Sequence, residues 1–504
     1  MNKTIFLILF VLIKLNINAQ SIVFSDLLIK KKYNLDFCEK YNDTIKFIIN
    51  KSKLYENIDY GIIQFSDSLK PIVRYTIPTE YKQKEITIIK LFSIGKNWIV
   101  LSSYYNIKNK KQYVFARIID SKGHRLTKWK KILDIDTDKK FSSNNRDYFN
   151  FAISPDKNKY LVLIKAKRKR MIDSLRYSFV VFDRELKILN TKKAKYGANS
   201  YHTDFDKVIL TNANDVFLLG VEFYDVKPFH ITIVYKKKYT LFHFLKDSII
   251  SKKVKLNNKY INSITMKYHK DTLYLGGYYS NHDYYSMAGG FSMKYINEDF
   301  KLWSLQRFPS YLVKKYPLKE YIEKEVDDEM FRFTAQSLEV DSLDNVYIIG
   351  QKVFGALLLG GYQKNPLYEY MSNYYYKYDD ILLFKISEND RWSKVFKTKF
   401  KSSKYAMYVN PNVYAYSFVG NSFRFVLNDK KVDKKSFSGK IKYSTNIYSI
   451  DLNGRIELQK KIEGLLYSRT HYQGIPEVFY NIMYVLVRNP HNKEMGRIVK
   501  INIE

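Results

Sequence analysis

The sequence predicts an all-β chain: a single closed β-propeller of four-stranded antiparallel blades, eight in number with seven as the alternative, and a short helical insertion. Three observations predict it. A turn followed by a short apolar run recurs eight times, each copy is flanked by further strand-like segments at hairpin distance, and no Pro/Gly/Ser-rich linker interrupts the chain. The composition allows a large core, because 46% of the 504 residues are hydrophobic and 16% are aromatic. Disorder requires the opposite balance. Length alone suggests about three domains, but repeat folds reiterate one unit and escape that expectation.

The repeated element starts with Asn or Asp and continues into four or five apolar residues, often ending in glycine. Residues 214–220 (NDVFLLG), 344–350 (DNVYIIG) and 271–277 (DTLYLGG) are the clearest copies. Others begin at Asn97, Asn158, Asn421, Asn481 and Asp43. Asn and Asp suit the turn because they bond to nearby backbone and tolerate left-handed angles. A continuous apolar run bounded by turn residues suits a strand covered on both faces.

Further strands complete each unit. A third strand follows most copies, as in 113–120 (YVFARIID), 179–183 (FVVFD), 381–386 (ILLFKI) and 447–451 (IYSID). An outer strand with tryptophan or lysine alternation comes next, as in 128–132 (KWKKI) and 392–396 (WSKVF). Lysine there discourages pairing between exposed edges. Upstream of the copies lie 86–91, 149–154, 261–266 and 337–340, each the first strand of its unit. The copies lie about 63 residues apart on average, a blade of four strands plus its loops. The last copy leaves too little chain for a fourth strand, so residues 21–24 (SIVF) are expected to supply it. The competing architecture, two stacked β-domains, would divide near Pro309.

One stretch carries a family resemblance. Phe151, Ala152, Ile153, Ser154, Pro155 and Asp156, followed by 159–163 (KYLVL), resemble the blade signature of TolB-like and WD-repeat propellers, with Lys157 and Asn158 where that signature has glycine. The wider pattern is similar to secreted propeller repeat proteins of Gram-negative bacteria. The resemblance implies the fold and says little about function.

Residues 1–19 read as a signal peptide: Lys3 precedes the apolar run 5–13 (IFLILFVLI), and Ala19 precedes the expected cleavage point. The propeller then spans 20–504, and export to the periplasm, the outer-membrane surface or the exterior follows. No later stretch is long and apolar enough to span a membrane. Cys38 is the single cysteine, so no internal disulfide forms, and the residue reads as a small buried hydrophobe. Net charge is +35, from 85 Lys and Arg against 50 Asp and Glu. That excess favours anionic partners, but the lysines are spread along the chain apart from runs such as 165–170 (KAKRKR).

Two insertions interrupt the repeat. In 309–332, Pro317 followed by Leu318, Tyr321, Ile322, Val326 and Met330 at helical spacing predicts an amphipathic helix. In 354–377, the aromatic candidates for a binding surface are Tyr362, Tyr368, Tyr370, Tyr374, Tyr375 and Tyr376, because tyrosine joins broad contact area to a hydrogen-bonding tip.

Catalytic signals are sparse. The eight histidines are scattered, and His230 and His243 sit in strand-like segments. Asp134, Asp136 and Asp138 resemble the start of a calcium loop, but Lys139 replaces its glycine and Asn145 its closing glutamate. His202, Asp204 and Asp206 alternate and would share one side of the chain, as any exposed strand start would. No phosphate loop, nucleophile elbow or zinc-hydrolase pair is present, so no cofactor and no metal are expected.

These readings point to an exported, non-catalytic binding or scaffold protein of the bacterial envelope, monomeric, with a protein or an anionic polymer as partner and nucleic acid not expected. The alternatives are an exported propeller enzyme acting on carbohydrate or another polymer, and a binder of anionic polymer through its basic surface. Three or more clustered Asp, Glu or His side chains on the converging strands would favour the enzyme.

Overall fold

The computed structural model describes the backbone of residues 22–502, apart from short stretches between strands and the segments 52–58, 138–147, 167–173, 317–328, 358–373, 397–401, 406–413, 433–440, 468–477 and 489–494; side chains are described mainly within 86–395. The expected signal peptide at residues 1–19, the Cys38 side chain, the expected helix from Leu318 to Val326, and Tyr362, Tyr368 and Tyr370 lie outside the described residues.

The chain is all-β with the antiparallel sheets of a propeller. Eight sheets follow one another among the described residues, here numbered I to VIII. Sheet I holds Tyr33–Tyr41, Thr44–Lys51, Asp59–Ser66 and Pro71–Ile77. Sheet II holds Thr87–Ile94, Asn97–Asn106, Lys111–Ile119 and Lys130–Asp136. Sheet III holds Phe149–Ile153, Lys159–Lys165, Leu175–Asp183 and Ile188–Tyr196. Sheet IV holds His202–Leu210, Val216–Phe229, Thr232–Phe244 and Ile249–Val254. Sheet V holds Tyr260–His269, Thr272–Ser280, Gly289–Ile296 and Asp299–Arg307. Sheet VI holds Phe333–Val340, Val346–Leu357, Tyr374–Ile386 and Trp392–Phe396. Sheet VII holds Tyr414–Val419, Ser422–Val432, Ile441–Asp451 and Ile456–Glu463.

Each of the eight repeated copies becomes the second strand of its sheet. The eighth sheet completes the pattern from both chain ends: Leu466–Tyr467, Ile482–Arg488 and Met495–Asn502 are joined by Ile22–Phe24, which pairs antiparallel with Met495–Asn502. The expected closing strand at residues 21–24 is therefore found. Two compact units result, one of residues 1–78 with 414–504 and one of residues 79–413. The second unit contains sheets II to VI, and no division falls at Pro309.

The second strands explain why their sequences are apolar throughout. Tyr160, Val162 and Ile164 join Phe92, Ile99 and Leu101 in the core between sheets II and III. Leu161 and Leu163, one residue out of phase, join Phe205, Val216 and Leu218 between sheets III and IV. Phe217 and Leu219 then meet Ile264 and Leu275 between sheets IV and V. Leu338, Val346 and Ile348 meet Tyr274 and Tyr278 between sheets V and VI. Alternate residues point to opposite faces of a sheet, and here both faces are covered. The fourth strands differ: in Ile188–Tyr196 the lysines alternate with half-buried residues, as a sheet edge requires.

The turns share one device. Thr211 Oγ1 accepts hydrogen bonds from the backbone N–H of Ala213 and Asp215, and Asp341 Oδ1 accepts them from Leu343 and Asn345. The residue three positions on is left-handed: Asn214 at φ +75° and Asp344 at +64°. Backbone geometry thus favours the Asn or Asp of the pattern. In the segment that resembles the TolB-like signature, Lys157 takes the glycine's place and is held at φ +57°.

The glycine that ends two copies has a packing reason. A Cβ on Gly350 would lie 2.4 Å from Tyr278 Oη, and one on Gly220 would lie 2.6 Å from the Tyr196 ring. Both tyrosines belong to the preceding sheet and are buried.

The helical insertion is only partly as expected. A helix spans Ser310–Lys315, with Leu312 buried beneath it. It is fastened by Tyr311 Oη, which donates to the Ser393 carbonyl at 3.0 Å, and by Tyr316 Oη, which donates to Asp380 Oδ2 at 2.6 Å. Met330, counted on the helical face, instead lies in the short strand Met330–Phe331, paired with Ser286–Met287. Among the described residues no helix is long and apolar enough to cross a membrane.

Two stability outcomes follow. Gly350→Ala is expected to lower stability by about 1–3 kcal/mol, because the wholly buried Tyr278 cannot withdraw. Lys157→Gly is expected to raise it by about 0.5–1 kcal/mol by relieving the left-handed strain. Urea unfolding checks both: the midpoint shifts while the slope stays constant.

Candidate functional site

The first strands of sheets III, IV, V and VI lie side by side in that order. They carry polar residues where the second strands carry apolar ones. The reason is register. In sheet IV the pairing with the second strand shifts between Phe205 and Lys207, which leaves Asp206 as the extra residue of a β-bulge. Sheet V has the same fault at Asn262 and sheet VI at Gln336. Sheet I has it at Asp36, and in sheet II the first strand skips Ile89. A bulge re-aims the side chain it releases and is common beside active sites.

The bulge residues do different work. Asn262 is buried, and its Nδ2 donates to the Ser286 carbonyl. Its own carbonyl accepts from Lys237 Nζ at 3.2 Å and Tyr239 Oη at 3.3 Å. It belongs to a structural clamp around Glu329, a fully buried carboxylate. Glu329 accepts hydrogen bonds from Ser280 Oγ at 2.7 Å, the Asn281 N–H at 2.6 Å and Ser286 Oγ. That clamp holds the chain after the helix against sheet V. Asp206, by contrast, is open to solvent.

Charged groups gather around Asp206. Lys165 Nζ, on the second strand of sheet III, lies 2.6 Å from Asp204 Oδ1, and the Asp204 carboxylate also accepts from the Phe205 N–H at 2.7 Å. Lys267 Nζ, on the first strand of sheet V, lies 3.0 Å from Glu339 Oε2 on the first strand of sheet VI. Lys207 stands between, under the fields of Asp206, Glu339 and Lys267.

Asp206 keeps surface accessible to solvent while charged neighbours crowd its carboxyl. Burial pushes its carboxyl above the ordinary value of 3.8; Lys237 opposes that rise, and the Asp204 carboxylate adds to it. Burial pushes the Lys207 ammonium below 10.5, with Asp206 and Glu339 resisting and Lys267 assisting. Loss of water drives both shifts, since it disfavours the charged form of either group.

The other candidates lie on other strands. Tyr374, Tyr375 and Tyr376 lie in the third strand of sheet VI, opposite Leu357, Ala356 and Gly355. Both ends of the 354–377 insertion are thus strand, an extension of one hairpin. Asp134 is held by Lys193 at 2.5 Å and Asp136 by Lys111 at 3.5 Å, in edge ion pairs. His243 stacks on Phe217 at 4.2 Å, and burial lowers its pKa. Among the described residues no three His, Cys, Asp or Glu side chains are grouped to hold a metal ion.

No protein-family model and no curated protein matches the sequence. Solved structures do match. The β-propeller domain of the Trilobed protease from Pyrococcus furiosus aligns at 10% identity and TM-score 0.34, over 86% of this chain and 97% of that one. The polysaccharide lyase Uly1 aligns at 10% identity and TM-score 0.39, over 97% and 100%. A puromycin-hydrolyzing peptidase of Mycobacterium tuberculosis aligns at 10% identity and TM-score 0.37, over 91% of this chain and 56% of the peptidase.

The expectation of a non-catalytic binding or scaffold protein is corrected here. The similar structures include peptidases and a polysaccharide lyase. At these scores the likeness speaks to fold alone, so the chemistry has to be argued from the converging strands.

Asp206 makes stability depend on pH. Folding raises its pKa, so its contribution is full below the ordinary value of 3.8 and fades as pH climbs through the raised folded value. Asp206→Asn is expected to remove this decline. Chemical denaturation from about pH 3 to 7 checks it, and parallel curves for wild type and variant would refute it.

Proposed function

We propose that the chain is an exported propeller enzyme acting on carbohydrate or another polymer, with the first strand of sheet IV as its reacting edge. One observation carries the reading: Asp206 stands on a bulge, open to solvent, with its carboxyl raised, two residues from an Asp204 carboxylate held by Lys165. Cleaving a glycosidic bond needs a proton for the leaving oxygen and a second carboxylate for the water or the sugar carbon. Asp206 is the proton donor in this scheme and Asp204 the carboxylate, oriented by Lys165 and the Phe205 N–H. The proton leaves Asp206 as the C–O bond breaks, and the resulting charge is balanced by Lys237, Lys207 and Lys165.

Export belongs to the proposal and rests on the apolar run 5–13 and Ala19. The likeness of 151–163 to TolB-like blades is consistent with an envelope or extracellular location in bacteria. A polymer substrate fits a site built on strand edges, where an extended chain reaches several sheets at once.

Asp206→Asn is expected to lower kcat about 10²–10⁴-fold with little change in KM, the usual loss for a general acid. Reducing-end release from a panel of polysaccharides, with circular dichroism to confirm folding, measures this. Full turnover by a folded Asp206→Asn protein would overturn the assignment.

A further inference from the structure

We propose that the polymer is acidic, and that Lys207 forms a subsite for a carboxylate or sulfate group on the sugar beside Asp206. This inference rests on the enzyme reading and adds the substrate's charge. It starts from the partners of the lysines. Lys165 is held by Asp204 at 2.6 Å, Lys267 by Glu339 at 3.0 Å, and Lys237 donates to the Asn262 carbonyl at 3.2 Å. Lys207 is the exception, making no ion pair or hydrogen bond with the described residues.

Its nearest carboxylates do not neutralise it. Glu339 is occupied by Lys267, and Asp206 resists ionisation. A half-buried ammonium has given up part of its water, and here it has no hydrogen bond or ion pair with the described residues in return. A bound anion restores the lost interaction and moves the Lys207 pKa back up. Position agrees with this role. Lys207 adjoins the bulge on the strand that carries Asp204 and Asp206, so its anion would sit next to the reacting bond. The long-range field agrees as well, since a net charge of +35 attracts a polyanion before contact.

The test is calorimetric, on the full chain, with a uronate oligosaccharide, a sulfated one and a neutral one of equal length. Wild type is expected to bind an acidic oligosaccharide in a salt-sensitive way and to ignore the neutral one; the two acidic arms separate carboxylate from sulfate. Lys207→Met is expected to weaken binding about 10- to 100-fold, the loss for a hydrogen bond to a charged group. Lys207→Arg, which keeps the charge, restores most of it and covers the case of a poorly folded Met variant. Lys253→Met, on an exposed outer strand, leaves binding unchanged. Equal affinity for neutral and acidic chains, or no binding of any, overturns the subsite. Lys207-dependent binding of an acidic chain without turnover overturns the enzyme reading and leaves the subsite standing.

Discussion

Tyr160, Val162 and Ile164 press toward sheet II while Leu161 and Leu163, from the same strand, press toward sheet IV. That two-sided burial is the constraint on which the rest of the molecule depends. A sheet with both faces covered cannot vary its middle strands, so polar residues are driven to the two strands at its margins. The outer strand becomes lysine-rich and guards an edge. The inner strand, freed from packing at its bulge, becomes available for chemistry.

The inner strands show how one backbone irregularity serves two purposes. Asn262 and Asp206 are both surplus residues in otherwise regular ladders. Asn262 turns into the clamp around Glu329, where every neighbour is a hydroxyl, an amide or a carbonyl. Asp206 turns to water among lysines and a second carboxylate, where its proton can be exchanged. The chemical difference lies in surroundings assembled from other sheets.

This division explains what was legible in the sequence. The second strands were, because NDVFLLG and DNVYIIG combine a left-handed turn residue with an unbroken apolar run. The strand at Ile22–Phe24 was, because the last repeat lacks one. His202, Asp204 and Asp206 were visible as an alternation, but the bulge at Asp206 was not, since register shifts leave no mark in composition. Lys165 was read only as part of a basic run, whereas it is buried against Asp204, thirty-nine positions away. Met330 fitted a helical stripe, and pairing with Met287 overrode that spacing. The missing information is long-range in each case.

The strand Ile22–Phe24 is hydrogen-bonded to Met495–Asn502, so the earliest and latest described pieces of the chain are neighbours in one sheet. Closing a loop of that length carries a large entropic cost and ranks among the slowest contacts a polypeptide forms. Sheet VIII therefore cannot be completed until Met495–Asn502 has been made. Until that strand arrives, the sheet keeps an unpaired edge, the kind that invites association with other chains.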